Sequence, residues 1–291
     1  MSSDPSVALV PGTTQWQVFY RGADGNLKTQ WGNFESWIYE TDMGGQLFGP
    51  TCTDVTNDSC YGSYATPVVI QLPGSNDLEV FYRGLDNTLR ARVRDDAGNW
   101  WPEQDLGGQM SSDPSVAPVP GTNQIGDGNY QIEVFYRGAG TADGSLMTQR
   151  GSLAFWNYET QIYGNGQLLG YYCVNSAPGG CLQYGASYSV PKAYAVGNIL
   201  WIFYRGVDST IWTQAKTGPY DSNGGWQAPY SLGGQPVGDI AGVQIPGTNT
   251  VQIFYVEPAC SGCGGGFWRA NGTRTSPSSS PSALWLSTIN R

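Results

Sequence analysis

Apolar and polar residues alternate along short stretches of this chain, the spacing of covered β-strands, and no segment sustains apolar residues at i, i+3, i+4 and i+7 over three turns. In Trp16-Gln-Val-Phe-Tyr-Arg21, Val18 and Tyr20 fall on one face and Phe19 and Arg21 on the other. Both rows are bulky, which predicts a strand buried between two neighbouring layers. Four strands are predicted in this first stretch: Ser6 to Val10, Trp16 to Arg21, Leu27 to Trp31, and an outer strand around Trp37 to Thr41. Pro-Gly-Thr, Gly22 to Asn26 and Gly44-Gly45-Gln46 punctuate them as turns.

The same grammar returns along the chain. Val-Phe-Tyr-Arg-Gly occurs at Val18, Val80 and Val134, with Ile-Phe-Tyr-Arg-Gly at Ile202 and a degraded Ile-Phe-Tyr-Val-Glu at Ile253. Intervals of 62, 54 and 68 residues separate Arg21, Arg83, Arg137 and Arg205. A repeat of this length cannot bury a core alone, so the copies must stack into one body. Five copies of four strands predict an all-β, five-bladed β-propeller of four-stranded antiparallel blades, a single domain over residues 1–291. Its blades fall at about 1–62, 63–109, 110–184, 185–235 and 236–291. Copies one and three are the most alike: Met1 to Thr13 and Met110 to Thr122 agree at 12 of 13 positions.

Composition supports this picture. There are 41 glycines, 11 Trp, 18 Tyr and 9 Phe, and only 13% of residues are charged. The formal net charge of −9 argues against nucleic acid or an anionic membrane surface as a partner. No run of 18 apolar residues is present, so no membrane insertion by a helix is expected. Histidine is absent, which excludes Ser-His-Asp and Cys-His catalysis and His-based zinc sites. No cofactor or metal is expected. The cysteines fall as Cys52/Cys60 and Cys173/Cys181, both C-x7-C, and Cys260/Cys263. Local disulfides clamping surface loops are the expected use, which implies an oxidising compartment. Cys260-Ser-Gly-Cys263 also has the spacing of a redox pair, without the strand–helix context of one. The chain starts without the basic and apolar runs of a signal peptide. An extracellular or cell-surface location is expected, by unconventional export or with a leader outside this sequence.

Candidate chemistry lies in residues that repeat. Arg21, Arg83, Arg137 and Arg205 accompany an outer-strand Trp and a following Glu: Trp37/Glu40, Trp100/Glu103 and Trp156/Glu159, with Trp226 alone in the fourth copy. Aromatic faces and forked charged groups suit the C–H patches and adjacent hydroxyls of a sugar ring. The opposing reading is structural: Arg bridging blades to the Glu, and Trp as filler. Asp24, Asp86, Asp143 and Asp208 follow Arg-Gly, where Asp commonly bonds its own backbone turn. A carboxylate enzyme would need two or three acids converging on the central funnel. Glu79 and Glu133 look like packing variation, because Gln17 and Trp201 replace them in sister copies, and Glu257 alone breaks the pattern suggestively. No catalytic residue is assigned.

The unit Pro-Ser-Val-Ala … Pro-Gly-Thr … Val-Phe-Tyr-Arg-Gly-Ala-Asp-Gly-Asn-Leu … Trp … Gly-Gly-Gln resembles the blade of fucose-binding β-propeller lectins. It is similar to bacterial seven-bladed lectins and, more distantly, to fungal six-bladed fucose-specific lectins. The resemblance implies shallow sugar sites between blades, built from Arg, Trp and a carboxylate or amide. A multivalent, non-catalytic lectin with glycan partners is therefore expected. A carbohydrate-active enzyme and a protein-interaction scaffold are the alternatives. Which sugar is bound, and the oligomeric state, are not encoded legibly.

Overall fold

A computed structural model describes residues 1–49, 51–54, 59–61, 64–122, 132–140, 144–153, 155–157, 159–162, 168, 172–177, 180–185, 189–217, 225–236, 238–245, 248–256, 267–273 and 285–288. The protein is an all-β propeller of five blades. Blade 1 comprises β1 (Ser6–Leu9), β2 (Trp16–Arg21), β3 (Asn26–Gly32) and β4 (Thr41–Gln46). A two-stranded ribbon of β5 (Thr51–Asp54) and β6 (Ser59–Tyr61) follows. Blade 2 is β7 (Val68–Gln71), β8 (Leu78–Arg83), β9 (Leu89–Arg94) and β10 (Gln104–Gly107). Blade 3 is β11 (Ser115–Pro118), β12 (Ile132–Arg137) and β13 (Leu146–Ser152), with its outer edge divided between β14 (Phe155–Trp156) and β15 (Thr160–Gln161). A second ribbon pairs β16 (Tyr172–Ala177) with β17 (Gly180–Gly185). Blade 4 is β18 (Lys192–Val196), β19 (Ile199–Arg205), β20 (Ile211–Thr217) and β21 (Tyr230–Gly233). Blade 5 is β22 (Ala241–Gln244), β23 (Thr250–Val256), β24 (Phe267–Thr273) and β25 (Trp285–Thr288). Neighbouring strands in each blade are antiparallel and follow chain order.

The turn between second and third strands shows why the grammar repeats. Gly22 and Asn26 close it through their backbones at 2.8 Å, and Asp24 Oδ1 accepts from the Asn26 N–H at 3.1 Å. Asp86 and Asp208 make the same bond to Thr88 and Thr210. The sharpest residue of the turn has positive φ and is Gly25, Asn87 or Ser209 in different blades. A side-chain acceptor beside a left-handed residue is the ordinary chemistry of such a turn.

The outer strands begin later than alternation suggests. Trp37 forms an isolated bridge with Gly32, and the continuous strand starts only at Thr41. Asn33 Oδ1 accepts from the backbone of Glu35 and Ser36 and turns the chain first. Trp100 likewise bridges Arg94 before β10 starts at Gln104. Bulges where β4 meets β3 and β10 meets β9 then carry the chain into the Gly-Gly-Gln links.

Adjacent blades stack face to face, and each described seam has its own hydrophobic core. Phe19, Leu27 and Leu47 meet Val80 and Tyr82 between blades 1 and 2. Phe81, Leu89 and Ala91 meet Ile132, Val134 and Tyr136 between blades 2 and 3. Phe135, Leu146 and Leu168 meet Leu200, Ile202 and Tyr204 at the next seam. Phe203 and Ile211 meet Val251, Ile253 and Tyr255 at the fourth. The Phe/Arg face of one blade thus always receives the Val/Tyr face of the next. No helix among the described residues is long and apolar enough to cross a membrane.

Candidate functional site

The four repeated arginines end their central strands close to the links that leave each blade. Arg21 Nε donates to the Leu47 carbonyl at 3.2 Å, and Nη1 donates to Ser2 Oγ at 2.9 Å. Arg137 repeats this arrangement with Leu168 O at 3.3 Å and Ser111 Oγ at 2.6 Å. Arg205 Nη1 donates to Pro236 O at 3.0 Å, and the Arg83 guanidinium lies 4.0 Å from the centroid of Phe48. Arg83, Arg137 and Arg205 are buried. Arg21, Arg137 and Arg205 thus fasten the link into the following blade, and Arg83 packs on the link that enters its own.

The repeated tryptophans occupy the seams. Trp100 meets Phe19 edge-on at 5.7 Å, Trp156 meets Phe81 at 5.4 Å, and Trp226 meets Phe135 at 5.8 Å. In each pair the Phe belongs to the preceding blade, a favourable T-shaped contact. Trp37 instead is exposed. The glutamates face tyrosines of their own blades: Tyr20 donates to Glu40 and Tyr82 to Glu103. Glu159 lies beside Tyr136 and accepts from the Gln109 backbone at 3.3 Å. Burial, then the Glu40 hydrogen bond, pushes the Tyr20 hydroxyl up to about 12. Burial and the carboxylate push Tyr82 upward for the same reasons. These phenols stay protonated, as donors to the glutamates must. Arginine, tryptophan and glutamate therefore recur together in sequence but have different partners in space.

A second constellation lies on the outer rim of blades 1 and 2, and sequence reasoning missed it. Lys28 Nζ lies 2.6 Å from Asp24, 2.8 Å from Asp42 and 4.0 Å from Glu40. Arg90, at the matching position, lies 2.5 Å from Asp86, 3.3 Å from Asp105 and 3.6 Å from Glu103. The aspartates and Glu40 are half-exposed and Glu103 less so, and the exposed Tyr39 and Trp101 precede Glu40 and Glu103 along the chain. Hydrogen bonds from Lys28 and the Gly44 backbone hold Asp42 down to about 2, and Lys28 and Asn26 also lower Asp24. The corresponding residues in blades 3 and 4 are Met147 and Trp212, so the constellation is confined to two blades. The available signal was the residue after Leu27 and Leu89, basic in two copies only.

A polar cavity of about 530 Å³ opens at the ring axis, where the first strands converge. Asp4, Thr66, Asp113, Val190 and Asp239 line it from the five blades, with Tyr64 beside them. Burial pushes Asp113 up to about 6, partly offset by Arg83 and Thr66. Burial also raises Asp239, against Lys192 and Arg205. No group of three acids among the described residues is placed to hold a metal ion. Glu257, Asp143, Cys260, Cys263 and residues 275–282 lie outside the described residues. Cys52 and Cys60 are direct cross-strand neighbours on the first ribbon. On the second, Cys173 faces Tyr184 and Cys181 faces Ser176.

No protein-family model matches this sequence, and no curated protein matches it. Solved structures do match its fold. A variant of the Aleuria aurantia lectin in complex with Fucα1-6GlcNAc aligns at TM-score 0.58 and 15% identity, covering 100% of this chain and 79% of that one. The SapL1 lectin with α-methyl fucoside aligns at 0.58 and 14%, covering 98% and 79%. The BP39L lectin from Burkholderia pseudomallei aligns at 0.54 and 15%, covering 100% and 85%. The Aleuria aurantia lectin is described as a six-bladed β-propeller with its own fucose recognition mode, and this chain covers 78% of it. The chain thus shares the propeller fold of these lectins.

Proposed function

We propose that this protein is a non-catalytic carbohydrate-binding protein, with fucosylated glycans as its partners. The observation that carries this reading is the pair of matching rim clusters around Lys28 and Arg90. Each sets a cation among three carboxylates, and an exposed aromatic residue, Tyr39 or Trp101, precedes its glutamate along the chain. A pyranose can stack its C–H face on such a ring while its hydroxyls bond the charged groups. The fold shared with solved fucose-bound lectins supports the choice of ligand. Two such sites would act together on a multivalent glycan surface. The arginines at Arg21, Arg83, Arg137 and Arg205 contribute here by holding the blade links, with ligand contact falling to the rim.

Calorimetric titration with α-methyl fucoside, after a glycan array, tests the reading. We expect about two sites per chain, and loss of one in Arg90→Ala with weakening of about 10- to 100-fold there, since a charged hydrogen bond contributes about 1.5–3 kcal/mol. Silence across fucosylated and neutral glycans would overturn it. The proposal extends to a location outside the cell, with a Cys52–Cys60 disulfide closing the first ribbon. Intact mass before and after reduction tests the latter.

A further inference from the structure

Each blade sends into the axial cavity the residue that stands two places before its first strand: Asp4, Thr66, Asp113, Val190 and Asp239. Thr66 and Val190 show that the fold does not need an acid at this position. Asp113 and Asp239 occupy it at a cost, since burial disfavours their charged forms. The Thr66 backbone donates to Asp113 and the Val190 backbone to Asp239, so each of these carboxyl groups is held against the preceding blade. Asp113 Oδ1 is nevertheless buried without a hydrogen-bond partner. Arg83, Lys192 and Arg205 act on these carboxyl groups from nearby, but none of the three lines the cavity.

The serine and threonine hydroxyls of the wall have already committed their protons. Ser2 Oγ donates to the Gly22 carbonyl at 2.8 Å, and Ser111 Oγ donates to the Gly138 carbonyl at 2.7 Å. Ser3 and Ser112 donate to the carbonyls of Asp4 and Asp113, and the Thr66 side chain donates to the Asp113 carboxyl group. These groups and the three aspartates therefore offer the cavity acceptors, and their complement is a donor that carries positive charge. We infer that the axial cavity binds a small organic cation bearing primary ammonium groups. A metal ion matches poorly: no group of three acids among the described residues is placed to hold one, and about 530 Å³ far exceeds a single ion. A neutral polyol brings as many acceptors as donors, and an anion brings the wrong sign of charge. The volume lies within the range of small-molecule sites. Its residues are distinct from the Lys28 and Arg90 clusters of the rim, so this is a second site with its own ligand.

Calorimetric titration of the full chain near neutral pH and at low ionic strength tests this, with 1,4-diaminobutane as the probe and 1,4-butanediol as its uncharged isostere. We expect saturable binding of the diamine and none of the diol. Asp113→Asn and Asp4→Asn should each weaken the diamine by about 10- to 100-fold, as loss of a charged hydrogen bond does. Asp4 is exposed, so the second variant reports on the site even where Asp113→Asn disturbs folding. Val190→Lys, which sets an ammonium on the wall itself, should abolish binding. Saturating α-methyl fucoside should not displace the diamine, which separates this site from the rim. Five results would each overturn the inference: no saturable diamine binding, equal binding of the diol, unchanged affinity in both aspartate variants, undiminished binding in Val190→Lys, or displacement by the fucoside. The first four do not depend on whether the protein binds sugar.

Discussion

Glu133 of blade 3 and Lys216 of blade 4 form a buried ion pair across their seam. Thr148 adds a hydrogen bond to the same carboxylate at 3.0 Å, and the Lys216 ammonium lies 5.0 Å from the Trp226 ring centroid. Removing one charge from such a pair strands the other in a low-dielectric interior. Lys216→Met should destabilise the protein by about 3–5 kcal/mol, whereas Glu133→Leu/Lys216→Met should recover most of the loss. Urea denaturation of the two singles and the double variant measures the coupling.

Glu79, the matching residue in blade 2, has neither partner. Ala91 stands where Thr148 would be and Gly151 where Lys216 would be. Both carboxylate oxygens are buried without a hydrogen-bond partner. Burial pushes the group from the usual 4.5 up to about 8, with Asp77 adding a smaller repulsion. The folded carboxyl therefore stays protonated while that of the unfolded chain ionises. Stability from this group is fully present below about pH 4.5 and falls as pH rises toward 8, by up to about 5 kcal/mol. Glu79→Gln should match the parent at pH 4 and exceed it clearly at pH 8 in urea melts. Equal pH slopes for the two proteins would refute this account.

The contrast between Glu79 and Glu133 shows what the sequence could and could not disclose. Strand alternation and the Val-Phe-Tyr-Arg-Gly phrase sufficed for the blades, because both depend on local geometry. The phrase repeats because the scaffold repeats: Arg137 holds Leu168, and Trp156 fills the seam at Phe81. Repetition alone looked like a recognition kit. The individual features lie where copies differ, at Lys28, Arg90, Glu79 and Lys216, and their partners come from other strands or other blades. Trp37 likewise looks ordinary in sequence, since exposure depends on what the ring places opposite it.

The Gly-Gly links admit a sharper test. Gly44 and Gly45 both have positive φ, near 70°. A Cβ on Gly44 would meet nothing within 4 Å, but one on Gly45 would lie 2.5 Å from the Tyr82 hydroxyl, against the Glu103 carboxylate. Gly44→Ala should cost about 1 kcal/mol, from backbone strain alone. Gly45→Ala should cost more, because it also displaces the Tyr82–Glu103 contact, visible as a larger fall in Tm than for Gly44→Ala.

Equivalent tryptophans should have unequal energetic weight. Trp156 packs edge-on against buried Phe81 within the core that joins blades 2 and 3. Truncation there leaves a cavity between two sheets that cannot collapse freely, so Trp156→Ala should cost about 3–5 kcal/mol. Trp37 occupies the same place in its blade but has solvent where the preceding Phe would be. Trp37→Ala should cost well under the Trp156 value, within about 1 kcal/mol, because little buried surface is lost. Thermal melts of the two variants side by side discriminate the cases. Equal losses would mean that blade 5 closes on blade 1 in solution as tightly as the other blades close on one another.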